Sequence, residues 1–276
     1  MGIATAGRLL VALLSLCLSA PSIAGLRLGV APYLSPRTLI DQYGPWLDYL
    51  QGELGQRIDF ATAIDLPHFY LRCARQDFDL IITPPHLARL AQLESGYQPI
   101  AAIKSDFYLT VVVPRGDAAR SMADLRGKRL NLPAEMSLPA LQAEAFLARL
   151  DIDIRLDTRR VFHATENNAL RASSRSKHDA AIASRTVLEA MPQEISGGLR
   201  VLGSAPSSIS LVLMRSARLD ANQQAALSTA MARFPYSQPG LAFFNRASSY
   251  LVPASAAELD RWDNRLPWLR QQLVAR

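Results

Sequence analysis

The residues best suited to metal or nucleophilic chemistry are four histidines (His68, His86, His163, His178) and two cysteines (Cys17, Cys73). No two histidines form an H-x-x-x-H pair, and none sits in a cysteine cluster, so zinc-ligand spacing is absent. Two cysteines make neither a disulfide framework nor a thiolate metal site. Cys73 lies in a helical stretch with Arg72 and Arg75 and reads as a buried, inert thiol. His163 and Glu166 stand three apart across an expected strand end, an irregular geometry for a catalytic pair. The sequence has no G-x-S-x-G elbow, no Walker loop and no dinucleotide fingerprint. No cofactor and no catalytic set is therefore expected.

What remains is chemistry suited to holding a ligand: hydroxyls and one acid at the ends of expected strands and the starts of expected helices. Tyr33 follows the first strand, where its ring covers a small ligand or packs inside. Ser35 either donates to a ligand or caps the next helix. Thr83 and His86 sit at a helix start whose unpaired N–H groups favour anions, with His86 the weaker candidate. Phe107 and Tyr108 are placed to line a wall. Ser137, Thr165 and Ser184 each precede an expected helix, and Glu166 is an acid in a first helical turn.

Strands and helices alternate along the chain. Apolar spacing predicts strands over 26–31, 57–61, 79–83, 99–103, 108–113, 129–132, 155–162, 179–183, 199–202 and 209–214. It predicts helices over 38–55, 66–75, 85–93, 122–127, 138–150, 166–174, 185–191, 220–233 and 256–273. Such alternation implies an α/β fold with parallel strands covered on both faces. The stretch beginning Asp79-Leu80-Ile81-Ile82-Thr83 is echoed 100 positions later by Asp179-Ala180-Ala181-Ile182-Ala183-Ser184. Two halves built alike would each aim a helix start at the gap between them.

Composition is that of an ordinary globular chain: 49% hydrophobic and 20% charged, in 276 residues. Lys+Arg 30 against Asp+Glu 24 is mildly basic but scattered, and no nucleic-acid partner is expected. Arg8, an apolar run over 9–18 and the small residues before Ala24 have the order of a secretory signal, cut after Ala24. Export to the periplasm follows, with Cys73 the only thiol left.

Met122-Ala123-Asp124-Leu125-Arg126-Gly127-Lys128-Arg129-Leu130 resembles the segment that opens the second lobe of type 2 periplasmic binding proteins. Four further pieces resemble the phosphonate/phosphite/phosphate-binding branch of that family. They are Ala31-Pro32-Tyr33-Leu34-Ser35-Pro36, Asp79-Leu80-Ile81-Ile82-Thr83-Pro84-Pro85-His86, Thr165-Glu166-Asn167-Asn168-Ala169-Leu170 and the repeat at Asp179–Ser184. The resemblance implies two lobes joined by two crossover strands around a central cleft. It places residues 25–110 and 209–276 in lobe one, 111–204 in lobe two, and the return crossover at 205–208, after a signal at 1–24. It implies ligand contacts from Tyr33, Ser35, Thr83, His86, Tyr108, Ser137, Thr165, Glu166 and Ser184, and an exported monomer that delivers a small oxyanion to an ABC permease. A sensory protein that signals to a membrane histidine kinase, with a different ligand, is the alternative; a hydrolase on the same scaffold is a third. One departure stands out. Where phosphonate binders carry a run of Ser and Thr, this chain reads Ala134-Glu135-Met136-Ser137-Leu138-Pro139-Ala140, with one hydroxyl, an added acid and a proline that lacks an N–H.

Overall fold

A computed structural model describes residues 25–254 and 256–274; the expected export signal and Cys17 lie outside the described residues. The first half opens with Leu26–Val30 (β1), buried except at Arg27. Pro36–Leu54 (α1) follows, started by the Ser35 hydroxyl and stopped by Gly55, whose φ of 62° suits a residue without a Cβ. Its apolar stripe, Leu39, Tyr43, Trp46, Leu47 and Leu50, is buried. Next come Ile58–Ala61 (β2), Leu66–Ala74 (α2), Leu80–Thr83 (β3) and Pro85–Ser95 (α3). Gln98–Pro114 (β4) then runs unbroken into the second half.

The second half holds a 3-10 turn at Met122–Leu125, then Arg129–Leu132 (β5), Leu138–Ala148 (α4), Arg159–Phe162 (β6) and Glu166–Ser174 (α5). Ala180–Ser184 (β7), Arg185–Glu189 (α6) and Gln193–Ser196 (α7) complete it. Leu199–Arg215 (β8) returns to the first half, which closes with Ala221–Arg233 (α8), Gln238–Ala247 (α9), Ser249–Pro253 (β9), a 3-10 stretch Ala256–Arg265 and Leu266–Val274 (α10).

The strands form a 9-stranded sheet in the order β2-β1-β3-β8-β4-β7-β5-β6, with β9 also on β4. β1 pairs parallel with β2 and β3, and β5 pairs parallel with β6 and β7. β4 and β8, 17 residues each, pair antiparallel from Gln98↔Arg215 to Pro114↔Leu199. Each spans about 56 Å if straight, so two long ribbons stitch one parallel set to the other. β3 lies between β1 and β8, and β7 lies in the equivalent place between β5 and β4, which is the echo of the sequence in space.

Side chains alternate across both sets. Leu80 and Ile82 join the core beneath α1, while Ile81 joins the opposite core with Phe69 and Phe78. Val111 and Val113 pack with Leu130, Phe146 and Ile182, while Val112 packs with Leu170 and Ala183. Both faces are covered, as parallel strands require.

The structure revises several expected boundaries. The strands over 99–103 and 108–113 are one strand, and so are 199–202 and 209–214. The polar stretch Lys104-Ser105-Asp106 reads as a break, yet its backbone pairs with Ser210, Ile209 and Ser208; ladder bonds need no apolar side chains. The strand expected over 155–162 forms only at Arg159–Phe162, because the Asp153 carboxylate accepts from the N–H groups of Arg155 and Leu156 and turns the chain there. The helix expected over 256–273 is a 3-10 stretch followed by a helix with Pro267 in its first turn. α9 and β9 were not foreseen, although Ser237 and Pro239 form an ordinary helix start.

Candidate functional site

The register fixes where the two sets meet. Thr83, the last residue of β3, pairs with Val212, which pairs with Ala102 of β4. Ser184, the last residue of β7, pairs with Leu109 of the same strand. β3 therefore advances along β4 towards Leu109, and β7 advances towards Ala102. Their carboxyl ends face each other over seven residues of β4, about 23 Å of extended chain. Turns and helix starts from both halves fill that interval, the usual place for a ligand in open α/β sheets.

From the first half, the Tyr33 hydroxyl hydrogen-bonds the Tyr43 hydroxyl at 2.9 Å and accepts from the Gln42 amide at 3.3 Å. Burial pushes its pKa up to about 12, so it stays a neutral phenol. Its ring packs on the α1 core. Ser35 is exposed and caps α1, accepting from Thr38 N–H at 3.2 Å. Thr83 is 1% exposed, and its hydroxyl has no hydrogen-bond partner among the described residues. His86 is 0% exposed, and its Nε2 lies 2.9 Å from the Met136 carbonyl of the second half. A carbonyl only accepts, so Nε2 carries the hydrogen. Nδ1 is then the bare nitrogen, buried with no partner among the described residues. Burial brings the His86 pKa down to about 4, a shift strengthened by the nearby Arg265 cation.

On β4, just before it enters the second half, Tyr108 is 49% exposed, with the guanidinium of Arg185 from the second half 5.2 Å over its ring. Ser137 caps α4 through Ala140 N–H at 3.4 Å, and Thr165 caps α5 through Asn168 N–H at 3.3 Å. Glu166 reaches Ser184 and accepts its backbone N–H. Burial raises the Glu166 pKa, partly opposed by that bond. Two groupings thus form. Glu166, Ser184, Arg185 and Tyr108 adjoin at the end of β7, and His86 and Met136 meet across the halves, three residues beyond Thr83 at the end of β3. Tyr33 and Ser35 spend their hydroxyls inside α1 and its cap.

A cavity of about 330 Å³ opens beside the His86–Met136 contact. Pro85 lines it from the first half, Leu138 and Gln142 from the second, and Arg261, Trp262 and Arg265 from the 3-10 stretch. The Trp262 ring lies 5.4 Å from that of His86. Residue order does not reveal this wall, because Arg261, Trp262 and Arg265 share one face of the expected helix over 256–273 and only tertiary packing shows what that face meets. Among the described residues no cluster of acids, histidines and cysteines has the make-up of a metal site, and no helix is long and apolar enough to cross a membrane.

Two parallel sets facing each other across two continuous ribbons make this a type 2 periplasmic binding protein fold. Solved structures of that class superpose on it. PhnD1 from Prochlorococcus marinus in complex with methylphosphonate has a TM-score of 0.73 at 15% identity, over 88% of this chain and 98% of that one. A binding protein component of an ABC phosphonate transporter from Pseudomonas aeruginosa gives 0.71 at 12%, over 91% and 98%. The aliphatic sulphonate binding protein SsuA from Escherichia coli gives 0.64 at 14%, over 90% and 93%. These likenesses establish the fold. No curated protein matches the sequence. A family model described as "ABC transporter, phosphonate, periplasmic substrate-binding protein" matches residues 28–259. The chain belongs to that family of periplasmic substrate-binding proteins.

Proposed function

We propose that the protein is exported, loses residues 1–24, and works as a monomer that captures a small oxyanion of phosphonate or phosphate type for an ABC permease. Residues 25–110 and 209–276 form one lobe and residues 111–204 the other, hinged on the ribbons near 205–208. The observation that carries this reading is the opposition of Thr83 and Ser184, two strand ends aimed at one interval from opposite halves. The buried, unpartnered Thr83 hydroxyl is a ready donor there. Ser137, Thr165, Glu166 and Ser184 border the interval from the second half; Tyr33, Ser35, His86 and Tyr108 support it from the first. The work is capture and release by hinge motion, without turnover. The family match favours transport over the sensory alternative.

Thermal shift and calorimetry across phosphonates, phosphite, phosphate and sulfonates test the ligand class. Binding of a tetrahedral oxyanion raises the melting temperature with ligand concentration. No shift with any of them rejects the ligand class and leaves the fold untouched.

A further inference from the structure

We propose that the cavity walled by Arg261, Trp262 and Arg265 takes the anionic group of the ligand, and that the ligand is a phosphonate or sulfonate carrying a ring-sized apolar substituent. The inference rests on the oxyanion-capture reading and adds where the charge sits and what accompanies it.

The start of α4 is a poor seat for an anion. Ser137 N–H already bonds the Ala134 carbonyl at 2.7 Å, and Leu141 N–H bonds the Ser137 carbonyl. Ala140 N–H goes to the Ser137 hydroxyl, and Pro139 has no N–H. Of the first turn only the Leu138 N–H is left. The Met136 side chain is buried in the core of the first half. An anion would find one donor where a nest needs several.

The cavity offers what that helix start lacks. Arg261 is exposed and pairs with no carboxylate among the described residues. Arg265 and Arg155 share one acid, Glu144, at 3.3 Å each, so that group carries a surplus positive charge. The neighbouring acids Asp260 and Asp263 share Arg89 at 2.8 and 2.6 Å, which leaves one acid in excess, so with Arg261 the wall as a whole keeps a small positive balance. The Trp262 indole N–H is buried with no acceptor among the described residues, the kind of orphaned donor that a ligand oxygen satisfies. Two guanidinium forks and an indole N–H suit a tetrahedral oxyanion.

Size sets the rest of the ligand. A cavity of about 150 Å³ houses benzene, and this one is about 330 Å³. There is room for a tetrahedral head and a ring together, against the apolar surfaces of Pro85, Leu138 and Trp262. A methyl-bearing oxyanion would leave those surfaces bare.

Calorimetry on the full chain with phenylphosphonate, benzenesulfonate, methylphosphonate and inorganic phosphate tests this. Phenylphosphonate or benzenesulfonate is expected to bind at least about tenfold more tightly than methylphosphonate. Arg261→Gln, at an exposed position, and Arg265→Gln each weaken the ring-bearing ligand about tenfold. Trp262→Phe keeps the ring, removes the donor and weakens it several-fold. Which head group binds more tightly separates phosphonate from sulfonate. If methylphosphonate or phosphate binds as well as the ring-bearing ligands, or if the arginine variants bind like the wild type, the inference is overturned and the oxyanion-capture reading stands. If none of the four binds, both fall.

Discussion

The His86 imidazole and the Met136 carbonyl join the two halves by a 2.9 Å hydrogen bond buried from solvent on both sides. His86 stands one residue into α3 and Met136 two residues ahead of α4, so the bond ties together the starts of two helices from opposite halves.

Burial of that imidazole makes the fold sensitive to acid. His86 titrates near 4 in the folded chain, against an ordinary value of 6.5. The unfolded chain therefore binds the proton first, and stability falls as the pH drops from about 6.5 to about 4, with no further loss below. The full effect is on the order of 3 kcal/mol. His86→Phe strands the Met136 carbonyl and costs about 1–3 kcal/mol at pH 7.5. It also removes the titration, so the gap between variant and wild type narrows as the pH falls. Urea unfolding of both proteins from pH 7.5 to 4 reads this; a gap that does not change with pH contradicts it.

Glu166 predicts the opposite trend. Burial raises its pKa above the ordinary 4.5, so the folded chain holds the proton more tightly than the unfolded one. Stability from this group grows as the pH falls through the raised value and levels off below about 4.5. Glu166→Gln keeps an oxygen for the Ser184 N–H and removes the buried charge. It should be more stable than wild type at pH 8, with the difference gone by pH 4. Glu166→Ala leaves that N–H without an acceptor and should be less stable at pH 8 by about 1–3 kcal/mol. Melting curves at the two pH values for the three proteins decide the matter.

Much of the fold was legible in residue order, because apolar spacing and helix caps are local. Ser35, Ser137 and Thr165 all cap the helices they precede. The continuity of β4 through Lys104-Ser105-Asp106 was not legible, because it rests on a partner strand about a hundred residues away. The site was legible only as positions. Sequence placed Tyr33 after β1, but not the turn of its hydroxyl to Tyr43 and Gln42. Arg261, Trp262 and Arg265 are not legible as a site, since only tertiary packing brings the 3-10 stretch that carries them against the starts of α3 and α4.

The second half has a buried ion pair at its edge. The Asp117 carboxylate is fully buried, 2.7 Å from the Lys128 ammonium and 2.7 Å from Ala119 N–H. Burial alone would raise the Asp117 pKa, but these partners outweigh it and hold it below the ordinary value. Lys128→Met removes the cation and leaves the carboxylate buried, at a cost of about 3 kcal/mol. Asp117→Asn combined with Lys128→Met should be less damaging than the two single costs added together. A double-mutant cycle in urea checks this, and simple additivity would show that the two groups are not coupled.

Thr83 and Ser137 should respond in opposite ways to loss of a hydroxyl. The Ser137 hydroxyl already serves Ala140 N–H. Ser137→Ala therefore costs about 1 kcal/mol of stability as a lost cap and changes oxyanion affinity by less than about threefold. The Thr83 hydroxyl is buried and unpartnered, so Thr83→Val, which puts a methyl in its place, removes a penalty of about 1 kcal/mol and stabilises the free protein. If that hydroxyl is kept for the ligand, the same change weakens oxyanion binding about tenfold. Melting temperature and calorimetric affinity measured together on the two variants separate the roles. A Thr83→Val protein that is more stable and binds as well as the wild type would remove Thr83 from the site.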